Sequence, residues 1–247
     1  MPSVDLDLRK RLVEACHILD REGLVHGYGH VSTRAPDRQT VLISPRLAPR
    51  LVKGPEEILR ISMGGTVYKV PAKQSKSGGK AGGKAKTVAP QLQAPLELFA
   101  HTEVYRTRPD VNAVCRFHGK FSLVMSVLRK PLRPVHELAL TLGREIQVFD
   151  SPELIGTPEI GHRMAQSLGA ARALLMQGNG QLTVGASVEE AVVNAIMLET
   201  SAEIQWRALC IGEPVWIEDD EYTRLAKRDY EWVKRPWDFY LSRSKSR

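Results

Sequence analysis

Apolar residues at helical spacing appear first over residues 5–22, where Leu8, Leu12, Ala15, Cys16 and Leu19 form one stripe and Gly23 supplies a stop. A glycine-containing segment follows, Gly27-Tyr28-Gly29-His30-Val31-Ser32-Thr33-Arg34, with no element assigned to it. A strand is expected at Thr40–Ile43, ending at Ser44-Pro45-Arg46. Another is expected over 66–70, with a small polar helix near Pro55-Glu56-Glu57 between the two. Residues 97–106 read as a helix, Pro109-Asp110 breaks it, and the apolar run 111–118 reads as a strand. A helix over roughly 120–128 and strands near 146–149 come next.

Thr157-Pro158-Glu159 opens a further helix, with threonine as N-cap and proline in the first turn, and Gly169 closes it. Short strands at 174–176 and 182–184 are joined through Gly178-Asn179-Gly180, a hairpin signal. Ser187-Val188-Glu189-Glu190 is a capping box ahead of a long helix with Ala191, Ala195, Leu198 and Ala202 along one side. Alternating strands and helices without internal repeats imply an α/β or α+β fold, and exclude a helical bundle.

At 247 residues the chain suits one domain spanning 1–247 and buries enough surface to need no disulfide staples. Its three cysteines, Cys16, Cys115 and Cys210, are widely spread and are expected to be reduced structural thiols. No apolar run is long enough for a membrane span and no export signal is evident, so a cytoplasmic location is expected. The net charge of +7 raises the question of nucleic acid. Lys73, Lys76, Lys80, Lys84 and Lys86 lie in a Lys/Gly-rich stretch at about 71–93 that has no acidic residue, and removing those five charges leaves +2 for the rest. That stretch reads as a flexible insertion, so neither nucleic acid nor a membrane is expected as a partner.

Two spacings carry possible chemistry. Glu97 and His101 are four apart on the expected helix and share a face, with Tyr105 one turn on. Arg116 and His118 are two apart on an expected strand and project to one side of the sheet. A helix running into that strand through a short turn brings Glu97 towards His118. On its own this spacing is more often a satisfied surface or core pair than an active site.

Five blocks in order resemble the class II aldolase/adducin family. They are Gly27 to Arg34, Ile43-Ser44-Pro45-Arg46, Glu97-Leu-Phe-Ala-His101, Tyr105-Arg-Thr-Arg-Pro-Asp-Val-Asn-Ala-Val114, and Leu174 to Gly180 with Gly185 to Ala191. The resemblance implies a three-layer α/β/α sandwich around a central, mostly antiparallel sheet. It also implies a homotetramer with sites between subunits. In the family a zinc or similar divalent ion is held by His-x-His after the Ala-Val strand and by a histidine in the glycine turn. A glutamate at the position of Glu97 is the acid/base in C–C cleavage.

The departures are specific. His-x-His reads Arg116-Phe117-His118, and the turn histidine reads Asn179. Arginine has no lone pair to give and its charge repels a divalent ion, so the usual site is expected to be absent. Pro95-Leu96 stands where phosphosugar aldolases carry serines that contact phosphate, which argues against phosphorylated substrates. The leading expectation is therefore a lyase, aldolase- or decarboxylase-like, acting on a small non-phosphorylated carboxylate or hydroxy-acid. Glu97, Arg116, His118 and Asn179 would be its catalytic set, with His30, Ser44 and Arg46 lining the pocket. Arg116 would grip the carboxylate in place of the metal, and no cofactor would be needed. Two alternatives stand beside it. One is a non-catalytic, adducin-like scaffold. The other is a rearranged zinc, manganese or iron site with His118 as ligand, joined by Glu97 and by His101 or His136.

Overall fold

The computed structural model describes residues 2–68, 92–225 and 231–245. The Lys/Gly-rich insertion expected at about 71–93 lies almost wholly outside the described residues. Eight strands form one sheet in the order β4-β3-β2-β1-β5-β8-β7-β6. They are β1 (His30–Arg34), β2 (Thr40–Ile43), β3 (Leu59–Ser62), β4 (Val67–Tyr68), β5 (Ala113–Phe117), β6 (Val148–Phe149), β7 (Ala173–Met176) and β8 (Gly180–Gly185). Every neighbouring pair is antiparallel except β6 with β7.

Helices cover both faces of the sheet. One layer holds α1 (Pro2–Arg21), α3 (Lys120–Val127), α5 (Val188–Ile211) and α7 (Glu231–Lys245), packed on Val31, Leu42, Ala113, Cys115, Phe117, Ala173 and Leu175. The other holds α2 (Phe99–Thr107) and α4 (Pro158–Leu168), packed on Val41, Ile43, Val114, Leu174, Met176, Leu182 and Val184. Side chains alternate along each strand, and both faces are covered. β2 and β7 are therefore apolar almost throughout, whereas β1, β5 and β8 carry buried polar side chains among apolar ones. The expected three-layer α/β/α sandwich is the observed one.

Alternation also explains why polar groups collect in one place. On β5, Ala113, Cys115 and Phe117 face the α1/α5 layer, so Arg116 faces the α2/α4 layer. His30 and Ser32, flanking Val31 on β1, face the same way.

Several expectations shift at element ends. The glycine-containing segment ends in a full strand, β1, because Gly27 and Gly29 take positive φ ahead of it and turn the chain into the sheet. A strand at 59–62 was not expected, and α6 (Asp219–Leu225) and α7 were not foreseen either. α2 begins at Phe99, so Glu97 sits in the turn before the helix and not on it, contrary to the expected 97–106 helix. β5 ends at Phe117, which leaves His118 just beyond the strand rather than on it. Ser187 caps α5 as expected, its Oγ accepting the Glu190 N–H at 3.2 Å, while the Glu190 carboxylate accepts the Ala186 N–H at 2.7 Å. Thr157 occupies the N-cap of α4 with extended backbone but makes no side-chain cap bond. Cys16 and Cys115 are buried free thiols and Cys210 is an exposed one.

Candidate active site

A buried guanidinium is the hub of the polar cluster on the α2/α4 face. Arg116 is fully buried, and its Nη2 lies 3.3 Å from each oxygen of Glu97. The same nitrogen donates to Asn179 Oδ1 at 3.0 Å and to the Asn179 carbonyl. Nη1 donates to the Phe117 carbonyl at 2.7 Å and the Gln181 carbonyl at 3.5 Å. Asn179 is fixed in turn, its Nδ2 donating to Glu153 O at 2.7 Å. Three positions far apart in sequence therefore meet on one cation.

Local structure makes this meeting possible. The β7–β8 hairpin turns at Gly178 and Gly180, both at positive φ, and so carries Asn179 back over the end of β5. Gly180 has a second reason to lack a side chain. A Cβ there would collide with Arg116 Nη1 and lie 2.5 Å from the Phe117 carbonyl oxygen. Gln181 grips the residue after His118, accepting the Gly119 N–H at 2.8 Å and donating to the Gly119 carbonyl at 3.4 Å. Glu199 on α5 accepts the N–H groups of Phe121 and Ser122 at 2.8 and 3.1 Å, which caps α3 directly after the site.

On the other side of Glu97 stands a row of polar side chains that the spacing argument had only partly placed. His30 Nε2 lies 3.8 Å from Glu97 Oε2, close enough for charge attraction and too long for a formed hydrogen bond. His30 Nδ1 meets His101 Nε2 at 2.6 Å, His101 Nδ1 meets Ser32 Oγ at 2.6 Å, and Ser32 Oγ meets the Tyr105 hydroxyl at 2.7 Å. His101 is fully buried and points across the sheet to β1.

The electrostatics follow from burial and from Arg116. Burial raises the Glu97 pKa, but His30, Arg116 and the Ile155 N–H, 3.4 Å away, outweigh it and hold the carboxyl well below the usual range. Burial, opposed by Glu97, lowers the pKa of His30. Burial and then the neighbouring His30 lower that of His101 further. Burial, then the Arg116 charge, lowers His118 to about 4. At neutral pH the cluster is one ion pair among neutral imidazoles.

The residues named from sequence divide accordingly. Glu97, Arg116, Asn179 and His30 come together, with His118 alongside. Its Cδ2 would be 2.8 Å from a Cβ on Gly180, and its ring stacks edge-on near Tyr28 at 6.4 Å. Ser44 and Arg46 do not join them. The Ser44 hydroxyl accepts the Val31 N–H at 3.1 Å, so it fastens β2 to β1. Arg46 is exposed and only its backbone is held, by Gln93 O at 2.7 Å. The expected two-pronged grip of Arg116 on a substrate is also revised, because its Nη groups are engaged by the protein. Within this cluster, Arg116 Nε–H and His118 Nδ1 are buried without a partner.

The side chains do not fit a divalent ion. Among the described residues no group of three or more His, Cys, Asp and Glu is placed to hold a metal. Both nitrogens of His101 are engaged, and His136 bonds Ser201 Oγ at 2.9 Å, away from Glu97. The rearranged ligand set is therefore not assembled.

Residues 10–206 match the family described as Class II Aldolase and Adducin N-terminal domain. The chain belongs to the class II aldolase/adducin family. It is 28% identical to the decarboxylase tropJ of Talaromyces stipitatus, over 79% of this chain and 74% of that protein. It is 27% identical to the 5-methylthioribulose-1-phosphate/5-deoxyribulose-1-phosphate aldolase of Rhodospirillum rubrum, over 92% of this chain and 93% of that one. In fold it is similar to an aldolase II superfamily protein from Pseudomonas syringae, with a TM-score of 0.79 at 18% identity, over 98% of this chain and 93% of that one. Relatives of this aldolase/adducin chain thus include both an aldolase and a decarboxylase. Among the described residues no helix is long and apolar enough to cross a membrane.

Two cavities flank the aldolase/adducin core, of about 770 Å³ beside α5 and α7 and about 510 Å³ beside α1 and the β1–β2 turn. Neither is lined by Glu97, Arg116 or His118. The chemistry-bearing residues and these two hollows are in different places, and the chemistry is the better guide.

Proposed function

We propose that this family member is a lyase that breaks a C–C bond in a small, non-phosphorylated carboxylate or hydroxy-acid, with the fixed charge of Arg116 in place of a metal. One observation carries the reading: Arg116 Nη2 reaches both Glu97 and Asn179, joining the positions at which the family assembles its metal-binding and acid/base groups. Breaking the bond leaves its electron pair on carbon. A buried guanidinium offers a preorganised positive charge to that anion, by field and through its free Nε–H. In an aldol cleavage Glu97 accepts the hydroxyl proton and, as the carboxylic acid, returns it to the carbanion; a carboxylate that loses carbon dioxide instead leaves a carbanion that takes one proton from water. His118, neutral above pH of about 4, is the second proton carrier. Asn179 holds Arg116 in line. A homotetramer with sites between subunits, implied by the family resemblance, belongs to the same proposal.

The same geometry favours one competing reading, a non-catalytic scaffold. A carboxylate held so firmly ionised is a weak base, and a guanidinium with its Nη groups engaged resembles a locked structural pair. The experiment is turnover of a panel of hydroxy-acids and aromatic acids by protein purified without a histidine tag and stripped with a chelator. Turnover that survives the chelator and falls by about 100-fold or more in Arg116→Met is expected. Dependence on added divalent ion, or indifference to the substitution, refutes the charge-replacement mechanism. Absence of turnover across the panel favours the scaffold.

A further inference from the structure

The row Tyr105–Ser32–His101–His30–Glu97 draws together β1, α2 and the turn before α2, and every member is buried. Its contacts are 2.7, 2.6, 2.6 and 3.8 Å in that order. The chemistry at the Glu97 end of the row dictates where its hydrogens lie. The negative charge of Glu97, 3.8 Å from His30 Nε2, favours an N–H rather than a lone pair facing it, so His30 carries its hydrogen on Nε2. A neutral His30 then has its lone pair on Nδ1, and His101 must donate from Nε2. His101 in turn has its lone pair on Nδ1, so the Ser32 hydroxyl must donate to it, and Tyr105 must donate to Ser32. Every O–H and N–H along the row points towards Glu97.

We infer that His30 is the charge partner of Glu97, turned to it through Nε2–H, and that His101, held by Ser32 and Tyr105, is a positioning residue that fixes which nitrogen of His30 carries the hydrogen. The inference rests on the reading of Glu97 as the acid/base group, and gives it a partner other than His118. The far end is closed, because Tyr105 is buried and burial pushes its hydroxyl pKa up, so the row orients and does not supply a proton. Reversal is opposed too. A second proton on His30 would force His101 to accept at Nε2 and donate from Nδ1, turning Ser32 towards Tyr105. The Tyr105 hydroxyl hydrogen would then need a new acceptor, and among the described residues its one hydrogen bond is to Ser32. The charged groups facing His30 are Glu97 and Arg116, with His101 and His118 as its titratable neighbours. Arg116 opposes a further positive charge there.

Histidine 15N NMR of the full chain near pH 7 tests this without any substrate. Both His30 and His101 are expected neutral, each with the hydrogen on Nε2 and a lone pair on Nδ1. Ser32→Ala removes the donor to His101 Nδ1, and the His101 signals are expected to move towards a mixture of tautomers. Tyr105→Phe, which leaves Ser32 in place, is expected to move them less. A wild-type His101 with its hydrogen on Nδ1, or a doubly protonated His30 at neutral pH, overturns the inference even if neither variant folds. The expected tautomers in a protein with no turnover would sink the lyase reading and leave this one standing.

Discussion

Arg116→Met keeps much of the side-chain volume and deletes the charge. In the native chain Nη2 is 3.3 Å from both Glu97 oxygens, which corresponds to about 5 kcal/mol of attraction at an effective dielectric near 20. Relief from burying a guanidinium offsets part of the loss. Leaving a buried carboxylate unpaired typically costs about 3–5 kcal/mol, a large part of the ~5–15 kcal/mol that holds a domain together. The sign with pH is distinctive. In the native chain the Glu97 pKa is depressed, so its contribution is present above the ordinary carboxylate value of 4.5 and is lost as pH falls through the folded value. In the variant the Arg116 charge no longer favours ionised Glu97 or opposes a proton on His30, so the folded Glu97–His30 pair takes up a proton more readily than in the native chain. The gap between the two proteins therefore narrows between pH 7 and 5. Urea unfolding followed by tryptophan fluorescence at both pH values measures it. Adding Glu97→Gln to Arg116→Met is expected to restore about 2 kcal/mol or more, as removal of both partners usually does. A single-variant cost below about 1 kcal/mol, an unchanged gap at pH 5, or no rescue would refute the account of Arg116 and Glu97 as a mutually dependent pair.

Gly180→Ala should cost about 2 kcal/mol or more in denaturant unfolding, since φ is +93° and the new Cβ meets Arg116 and the Phe117 carbonyl. A neutral effect would mean that the hairpin is not closely seated on the guanidinium. Native stability should fall as pH drops from 6.5 towards about 4. Over that window the unfolded state protonates His118 while the folded state does not, and His30 and His101 act in the same sense. His118→Gln should flatten part of that slope. A slope unchanged in His118→Gln would contradict a depressed His118.

The architecture was largely legible, because local signals and layer packing agree. The stripe on α1, the Gly178-Asn179-Gly180 hairpin and the Ser187 cap each specify an element by themselves. The unexpected strands were those whose patterns are ambiguous in one dimension. β1 follows two glycines that read as loop. β3, two of whose four residues are buried, pairs with β2 only after a short helical turn. Its neighbour β4 is two residues long.

The sequence, through its resemblance to the family, set the expectation that Arg116 and Asn179 stand where relatives carry imidazoles, and residue chemistry by itself implied that a metal would be disfavoured beside an arginine. What it left open was where the arginine would spend its donors. Glu97, Arg116 and Asn179 are separated by 19 and 63 residues, and only the register of β5 with β8 and the entry turn into α2 bring them within hydrogen-bond reach. The same holds for His30 and His101, 71 residues apart, whose contact exists because β1 pairs with β5 and α2 lies across that face. Ser44 and Arg46 show the converse. Sequence neighbourhood suggested a pocket for them, but β2 turns one hydroxyl onto β1 and leaves the other side chain in solvent. Side-chain type is local information and donor satisfaction is not. Which polar groups end up paired is decided by the closing of the sheet and the layer packed over it.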